Sequence, residues 1–178
     1  MKFTEEQRLI VMMLADIQKS SKVQGELDAD FIAKVASDGH EFAISYRYEG
    51  TFSSSQEDLP EGFRFVIDVL DMWSFVEDSL LNLSEHGRTH LEASVGKHAL
   101  TAKFDGFDGN NETELMSFTR LIVQDLQRFT EFAGRDFNSH SPREGRYQAM
   151  LDVFGPIRDQ LGDRYLDSKE LSKILSAM

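Results

Sequence analysis

The sequence of 178 residues contains no cysteine. This absence excludes disulfide bridges, thiolate metal sites and a cysteine nucleophile. No stretch approaches the roughly 18 consecutive apolar residues that a membrane-spanning helix needs. Residues 1–7 become acidic where a signal peptide requires an apolar segment. We therefore expect a soluble, cytoplasmic protein that makes no contact with a membrane.

Basic residues are also scarce, since 19 Lys and Arg stand against 31 Asp and Glu and the net charge is −12. Domains that bind nucleic acid usually carry a basic patch or stripe, so we expect no direct binding to nucleic acid. Hydrophobic residues make up 40% of the chain, which is enough for a core. The length corresponds to about one domain, and we expect a single domain over residues 1–178.

Apolar spacing and capping patterns predict a mainly α, multihelical fold with about six helices. The pattern from Thr4 to Gln7 is a capping box, in which each side chain bonds the other residue's backbone N–H. Residues 28–38 form a second predicted helix, and Asp167 begins a short final one. The apolar face of the first helix contains Leu9, Ile10, Met13, Leu14 and Ile17.

Two segments depart from a simple helical pattern. In residues 41–48, large apolar side chains occupy every second position, which is typical of a half-buried strand. We therefore predict a short strand or a small antiparallel pair there. Residues 84–103 leave two alternatives open. One is a helix weakened by Gly87, and the other is a pair of short strands at 91–95 and 99–104.

The predicted helix at residues 63–83 is apolar around most of its circumference, with 13 apolar residues among 21. Such a helix needs cover on most sides. It is therefore either the central helix of the domain or a helix that also meets a second subunit. The second alternative leads us to expect a homo-oligomer, with Trp73, Phe75 and Val76 as candidate interface residues.

Two more helices are predicted in the C-terminal half. The first begins at a cap formed by Asn111, follows an apolar face from Leu115 to Ala133, and ends at Gly134. The second begins at Ser141 as its cap. Pro156 lies inside this second helix and removes one backbone hydrogen bond, so we expect a kink or a break there.

Sequence motifs of known chemistry are absent. His86 and His90 have a zinc-like spacing, but Gly87 stands where the zinc-protease motif needs a glutamate. We therefore expect no metal and no cofactor. Carboxylate pairs such as Asp68 and Asp71 are expected by chance among 31 acidic residues, so they identify no site.

Residues 105–112 are the densest polar cluster. Their spacing does not fit a calcium loop, because ligand positions are filled by other residue types. Asp, Asn and Gly in this order favour a tight turn that leads into a helix cap. The alternative is a ligand site, for which the candidate residues are Asp105, Asp108, Asn110, Asn111, Glu112, Arg120 and His140.

The string FDGFDGNNE at residues 104–112, followed by Arg120, resembles the signature loop of the YfbU family. The segments IDVLDMW at 67–73, NSHSP at 138–142 and YQAMLDVF at 147–154 resemble later parts of the same family, as do residues 3–14 and 166–175. The resemblance covers nearly the whole chain. It implies a mainly helical bacterial or archaeal domain with no established activity and no defined catalytic residues.

Some members of that family are joined to a DNA-binding helix-turn-helix, which suggests a role in sensing a ligand. Our leading hypothesis is therefore a non-enzymatic, cytoplasmic ligand-binding or regulatory domain. Its expected partners are a small molecule and further copies of itself. The alternative is an uncharacterised hydrolase or metal-dependent enzyme that uses the acidic loop at residues 105–112 together with Arg120 and His140.

Overall fold

A computed structural model describes residues 2–21, 25–52 and 59–177. The predicted mainly α fold is confirmed, with eight α-helices in these ranges. The chain divides into two compact units, Met1–Pro60 and Glu61–Met178, which we describe one at a time as unit 1 and unit 2. Within the ranges described, the helices are too short or too polar to cross a membrane.

Unit 1 contains helices α1 (Glu5–Ser21), α2 (Ala29–Ser37) and α3 (Phe42–Arg47). The predicted capping box at the start of α1 is confirmed, because Gln7 N–H donates to the Thr4 hydroxyl at 3.2 Å and Thr4 N–H donates to the Gln7 side chain at 3.0 Å. The side chain of Asp28 caps α2 in the same local way. These caps define where both helices begin.

Helix α3 occupies the segment for which we predicted a strand, so the strand prediction near 41–48 is wrong. The four consecutive side chains from Phe42 to Ser45 are all buried. Because neither side of the segment faces water, the alternation of large side chains does not separate an inner from an outer face. Tertiary burial overrides the local pattern here.

The apolar face predicted for α1 lies in solvent. Leu9, Ile10, Met13, Leu14 and Ile17 are each between 56% and 62% exposed. The opposite face, with buried Ala15 and half-buried Val11 and Met12, is the one turned inward, and α1 packs against α2. The spacing therefore identified a real apolar face, but this face is not the one that unit 1 covers.

Unit 2 contains helices α4 (Glu61–Asn82), α5 (Glu85–Val95), α6 (Thr113–Arg120), α7 (Glu144–Leu161) and α8 (Ser168–Ser176). Helix α4 packs against both α6 and α7 and buries nine side chains, so it is the central helix of this unit. Helix α5 is capped by Ser84, whose hydroxyl accepts the Gly87 N–H at 3.1 Å. The helical alternative for residues 84–103 is therefore correct, and a 3₁₀ turn follows at Lys97–Thr101.

The continuous helix predicted from residue 111 to 133 is wrong. Helix α6 ends at Arg120, a π-helical turn spans Leu121–Asp125, and a 3₁₀ turn spans Thr130–Phe132. The chain bends sharply between them, with left-handed φ angles of 52° at Gln127 and 51° at Phe129. This bend lets Phe132 pack at 5.5 Å from the ring of Phe104, which a straight helix would prevent.

The helix starts predicted at Asn111 and Ser141 are also wrong. The N-cap residue is Glu112 for α6 and Arg143 for α7. Neither of these side chains accepts a hydrogen bond from the helix that follows it. Of the kink or break predicted at Pro156, the break is wrong, because helix α7 is continuous through this residue. The capping box between Asp167 and Glu170 at the start of α8 is present.

Candidate functional site

The predicted site loop, residues 105–112, packs against residues 136–144 within unit 2. Phe107 N–H donates to the Phe137 carbonyl at 3.0 Å, and Ser139 N–H donates to the Phe107 carbonyl at 3.1 Å. Gly106 has a φ of 89°, and a Cβ at this position would lie 2.1 Å from the Phe137 carbonyl oxygen. Only glycine allows so close an approach of the two segments.

Glu112 is the central carboxylate of this loop and is 8% exposed. One carboxylate oxygen accepts the N–H groups of Arg143 and Glu144 at 2.7 and 2.8 Å, and the other accepts the Asp108 N–H at 2.9 Å. The first N–H groups of a helix have no partner within the helix, and the helix dipole favours a negative charge there. Glu112 therefore caps α7 from a distant part of the chain.

Asp108 is buried beside Glu112 and organises the turn that follows it. Its carboxylate accepts the backbone N–H of Asn110 at 3.0 Å and the side-chain amide of Asn111. The hydrogen bond from the Asn110 N–H, reinforced by that from Asn111, lowers the pKa of Asp108 below its ordinary value. The carboxylate is therefore ionised and engaged by its own loop.

Asp105 joins the loop to α7. It accepts hydrogen bonds from the Arg143 guanidinium and the Tyr147 hydroxyl, both at 2.7 Å. The ring of Tyr147 packs against Phe104 and Phe107, and burial, together with the charge of Asp105, raises the pKa of its phenol. The hydroxyl is thus a hydrogen-bond donor at neutral pH and fixes Asp105 in place.

The remaining residues predicted for this site are exposed: Asn110, Asn111, Arg120 and His140. His140 lies near Asp108, and its backbone N–H donates to the Asn138 side chain at 3.0 Å. In the part of the chain that the structure describes, no three His, Asp or Glu side chains lie close enough to hold a metal ion. The three loop carboxylates are instead engaged by donors of unit 2.

A separate cleft of about 590 Å³ opens between α4 and α7. Its lining contains five carboxylates, two guanidinium groups and the apolar side chains of Phe65, Leu151 and Phe154. The charged lining residues are Glu61, Arg64, Asp68, Asp71, Asp152, Arg158 and Asp159. The cleft therefore combines room for a small molecule with an excess of negative charge.

The two carboxylates on the α4 side of the cleft differ in their surroundings. Arg158 donates to Asp71 at 3.3 Å, and its guanidinium stacks on Phe75 at 4.4 Å from the ring centre. Partial burial, followed by the charge of Asp71, raises the pKa of Asp68, while Arg64 acts in the opposite direction. Asp68 is thus a carboxylate of the cleft whose ionised form is disfavoured by its surroundings.

Sequence reasoning dismissed the pair of Asp68 and Asp71, although their spacing of three places them on one face of α4. Asp152 and Asp159 are seven apart, which likewise places them on one face of α7. Each pair is unremarkable alone, because acidic residues are common in this chain. Only the packing of α4 against α7 brings the two faces together.

The candidate interface residues on α4 pack against other residues of unit 2. Trp73 is 1% exposed and meets the ring of Tyr147 edge-on at 6.0 Å, and Val76 is fully buried. Phe75 is half-buried beside Phe154. Trp73 and Val76 therefore offer no surface to a second subunit in this conformation.

Comparison with known proteins relates the whole chain to one family. The family model named YfbU domain matches residues 1–177, which includes both units. The UPF0304 protein MJECS11 of Methanocaldococcus jannaschii is 27% identical over 175 residues, covering 93% of this chain and 96% of that protein. Neither name specifies a substrate or a reaction. The resemblance that began with the loop at residues 104–112 is thereby confirmed, and the chain belongs to the YfbU family.

Proposed function

We propose that the protein is a ligand-binding domain whose cleft between α4 and α7 takes a small organic cation. The observation that carries this proposal is the composition of the cleft, in which carboxylates outnumber guanidinium groups five to two and three large apolar side chains are also present. Its volume of about 590 Å³ lies within the range of roughly 300–1,000 Å³ typical of small-molecule sites. An aliphatic compound with two or three protonated amines matches both properties.

Asp68 is the expected anchor for an ammonium group. Its raised pKa reflects partial burial and repulsion from Asp71. A bound cation would compensate both effects, so binding would favour the ionised form of Asp68. Phe65 and Leu151 line the same cleft and provide an apolar surface for the methylene groups between the amines.

The cleft is lined by charged residues, one amide and a few apolar residues. Among the described residues that line it, none is a serine, threonine or histidine. Its carboxylates and guanidinium groups are suited to recognising charge. Ligand binding by the loop at residues 105–112 together with Arg120 and His140 stays a separate prediction. Its exposed candidate residues are Asn110, Asn111, Arg120 and His140.

Calorimetric titration with spermidine at low ionic strength tests the proposal. We expect wild-type protein to bind it and Asp68→Asn to bind about tenfold more weakly, which corresponds to about 1.4 kcal/mol. Asp78→Asn is the matched control, because Asp78 lies on the same helix, is exposed and does not line the cleft. It makes the same change in net charge.

The two variants separate a specific site from general attraction. The chain's charge of −12 attracts any cation over a long range, and both substitutions weaken that attraction equally. Equal affinities for Asp68→Asn and Asp78→Asn would therefore contradict the proposed site. Failure of the wild-type protein to bind spermidine would contradict it as well.

A further inference from the structure

The exposed apolar face of α1 is the feature that unit 1 leaves without cover. We call it the α1 stripe and define it by Leu9, Ile10, Met13, Leu14 and Ile17. The largest contiguous apolar patch on a soluble protein is often the place where another molecule binds. The stripe is therefore a candidate interaction surface.

The spacing of the stripe is that of a helix pair. Ile10, Met13 and Ile17 follow one another at intervals of three and four, which is the seam of a two-stranded coiled coil. Leu9 and Leu14 flank this seam on either side. A second helix with the same spacing would fit against it.

Ion pairs fix which face of α1 points outward. Arg8, on the inward side, donates two hydrogen bonds to the buried carboxylate of Glu41. Lys19 pairs with Asp30 at 2.6 Å near the other end of the helix. A rotation of α1 about its axis that buried the stripe would break the contact between Arg8 and Glu41. It would leave a buried carboxylate without its cation, which costs free energy.

The area of the stripe is sufficient for a dimer. Five side chains of this size that are more than half exposed present roughly 500 Å² in total, within the range of the largest patches on soluble proteins. Two such faces together present roughly 1,000 Å², which is about the area that a biological interface needs. A second copy of this chain supplies the matching face.

We propose that two copies of the chain pair through their α1 stripes, with the helices antiparallel about a twofold axis at Met13. Residue 13 is the midpoint of α1 (Glu5–Ser21), so this axis places Leu9 of one copy opposite Ile17 of the other. Each contact then occurs twice, as a twofold interface requires.

Charge favours the antiparallel arrangement over the parallel one. Both Glu5 and Glu6 lie in the first turn of α1, and Glu6 continues the seam one step before Ile10. A parallel pair would place the two Glu6 side chains together. The antiparallel pair places Glu6 opposite Ser20 and lets the two helix dipoles oppose one another.

The absence of cysteine makes a direct test possible, since any introduced thiol is the only one in the chain. Met13→Cys should give a covalent dimer with a short bis-maleimide, because the two thiols meet at the axis. Ser20→Cys should give little cross-linked product, because the antiparallel geometry separates the two thiols by about 21 Å along the helix axis. Efficient cross-linking through Ser20→Cys, which a parallel pair would give, or the absence of cross-linking through Met13→Cys would overturn the proposal.

Sedimentation provides an independent measurement. Wild-type protein should have twice the mass of one chain, and Met13→Asp should reduce it to one chain while circular dichroism retains the helical signal. Leu81→Asp is the matched control, because Leu81 is an exposed apolar residue of unit 2 that lies outside the stripe. A monomeric wild type, or a dimer that survives Met13→Asp, would overturn the proposal.

Discussion

Helix α1 of unit 1 and helix α4 of unit 2 both have apolar residues on nearly every turn, yet they are covered to very different degrees. Val66, Leu70 and Trp73 of α4 are at most 1% exposed, because the other helices of unit 2 surround them. The α1 stripe is more than half exposed. Apolar spacing therefore identifies a face that needs cover, but it does not say whether the same unit supplies that cover.

The two units also differ in how they accommodate a buried carboxylate. Glu41 of unit 1 is 4% exposed and accepts hydrogen bonds from the guanidinium of Arg8. Glu112 of unit 2 accepts three backbone N–H groups and caps α7. The guanidinium group of Arg8 therefore stabilises the carboxylate of Glu41, whereas backbone N–H groups stabilise the carboxylate of Glu112.

The largest expected effect concerns the covered helix. Trp73→Ala should lower the free energy of unfolding by about 3–5 kcal/mol, because it removes a large buried side chain and leaves a cavity. Trp73 packs against Tyr147, which in turn contacts Phe104 and Phe107. Chemical denaturation followed by circular dichroism measures this change.

The matched substitution on the exposed helix is Ile10→Ala. At a protein concentration where the chain is monomeric, it should change the free energy of unfolding by no more than about 0.5 kcal/mol, as is usual for exposed sites. A loss as large as that of Trp73→Ala would show that the α1 stripe is covered within one chain. The contrast between the two helices would then disappear.

A smaller effect is expected at the buried carboxylate of unit 2. Glu112→Gln should lower the free energy of unfolding by about 1–3 kcal/mol, because an amide cannot accept all three N–H groups and places a donor among donors. Glu114→Gln, in the exposed first turn of α6, makes the same change in charge and should cost less than about 0.5 kcal/mol. Equal losses would mean that net charge, and not the cap, is responsible.

The parts of the fold that the sequence predicted well are those decided over a few residues. The predicted caps at Thr4 and Asp167 accept N–H groups within three residues, and so does Asp28, where the second helix was predicted to begin. The donors and acceptors of these caps come together when the first turn of the helix forms, independently of the tertiary packing around it. Local sequence therefore contains all the information that these helix ends require.

The predictions that failed depend on distant contacts. The cap of α7 is Glu112, which lies 31 residues before Arg143, so the local Ser141 pattern was misleading. The bend after α6 accompanies the ring contact between Phe132 and Phe104, which are 28 residues apart. The cleft likewise depends on side chains of α4 and α7 that are more than 70 residues apart, such as Asp68 and Asp152. No short sequence pattern predicts such contacts between residues that are far apart in the chain.

The smallest expected effect distinguishes two carboxyl groups of unit 2 by the sign of their pH dependence. The pKa of Asp108 is lowered by the Asn110 N–H, so its contribution to stability is complete above the unfolded value of about 3.9 and is lost as the pH falls through the lower folded value. Asp108→Asn should therefore be less stable than wild type at pH 7, and the difference should shrink below about pH 4.

Asp68 should show the opposite sign, because partial burial and Asp71 raise its pKa in the folded state. Its ionised form is disfavoured by folding, and this penalty is complete above the raised folded value and vanishes below the unfolded one. Asp68→Asn should therefore be slightly more stable than wild type at pH 7 and equal to it near pH 3, in denaturation curves recorded across this range. If Asp68→Asn instead lost stability at pH 7, a cation partner within the protein would already compensate this carboxylate, and the cleft would lack the uncompensated charge with which we expect it to attract a ligand.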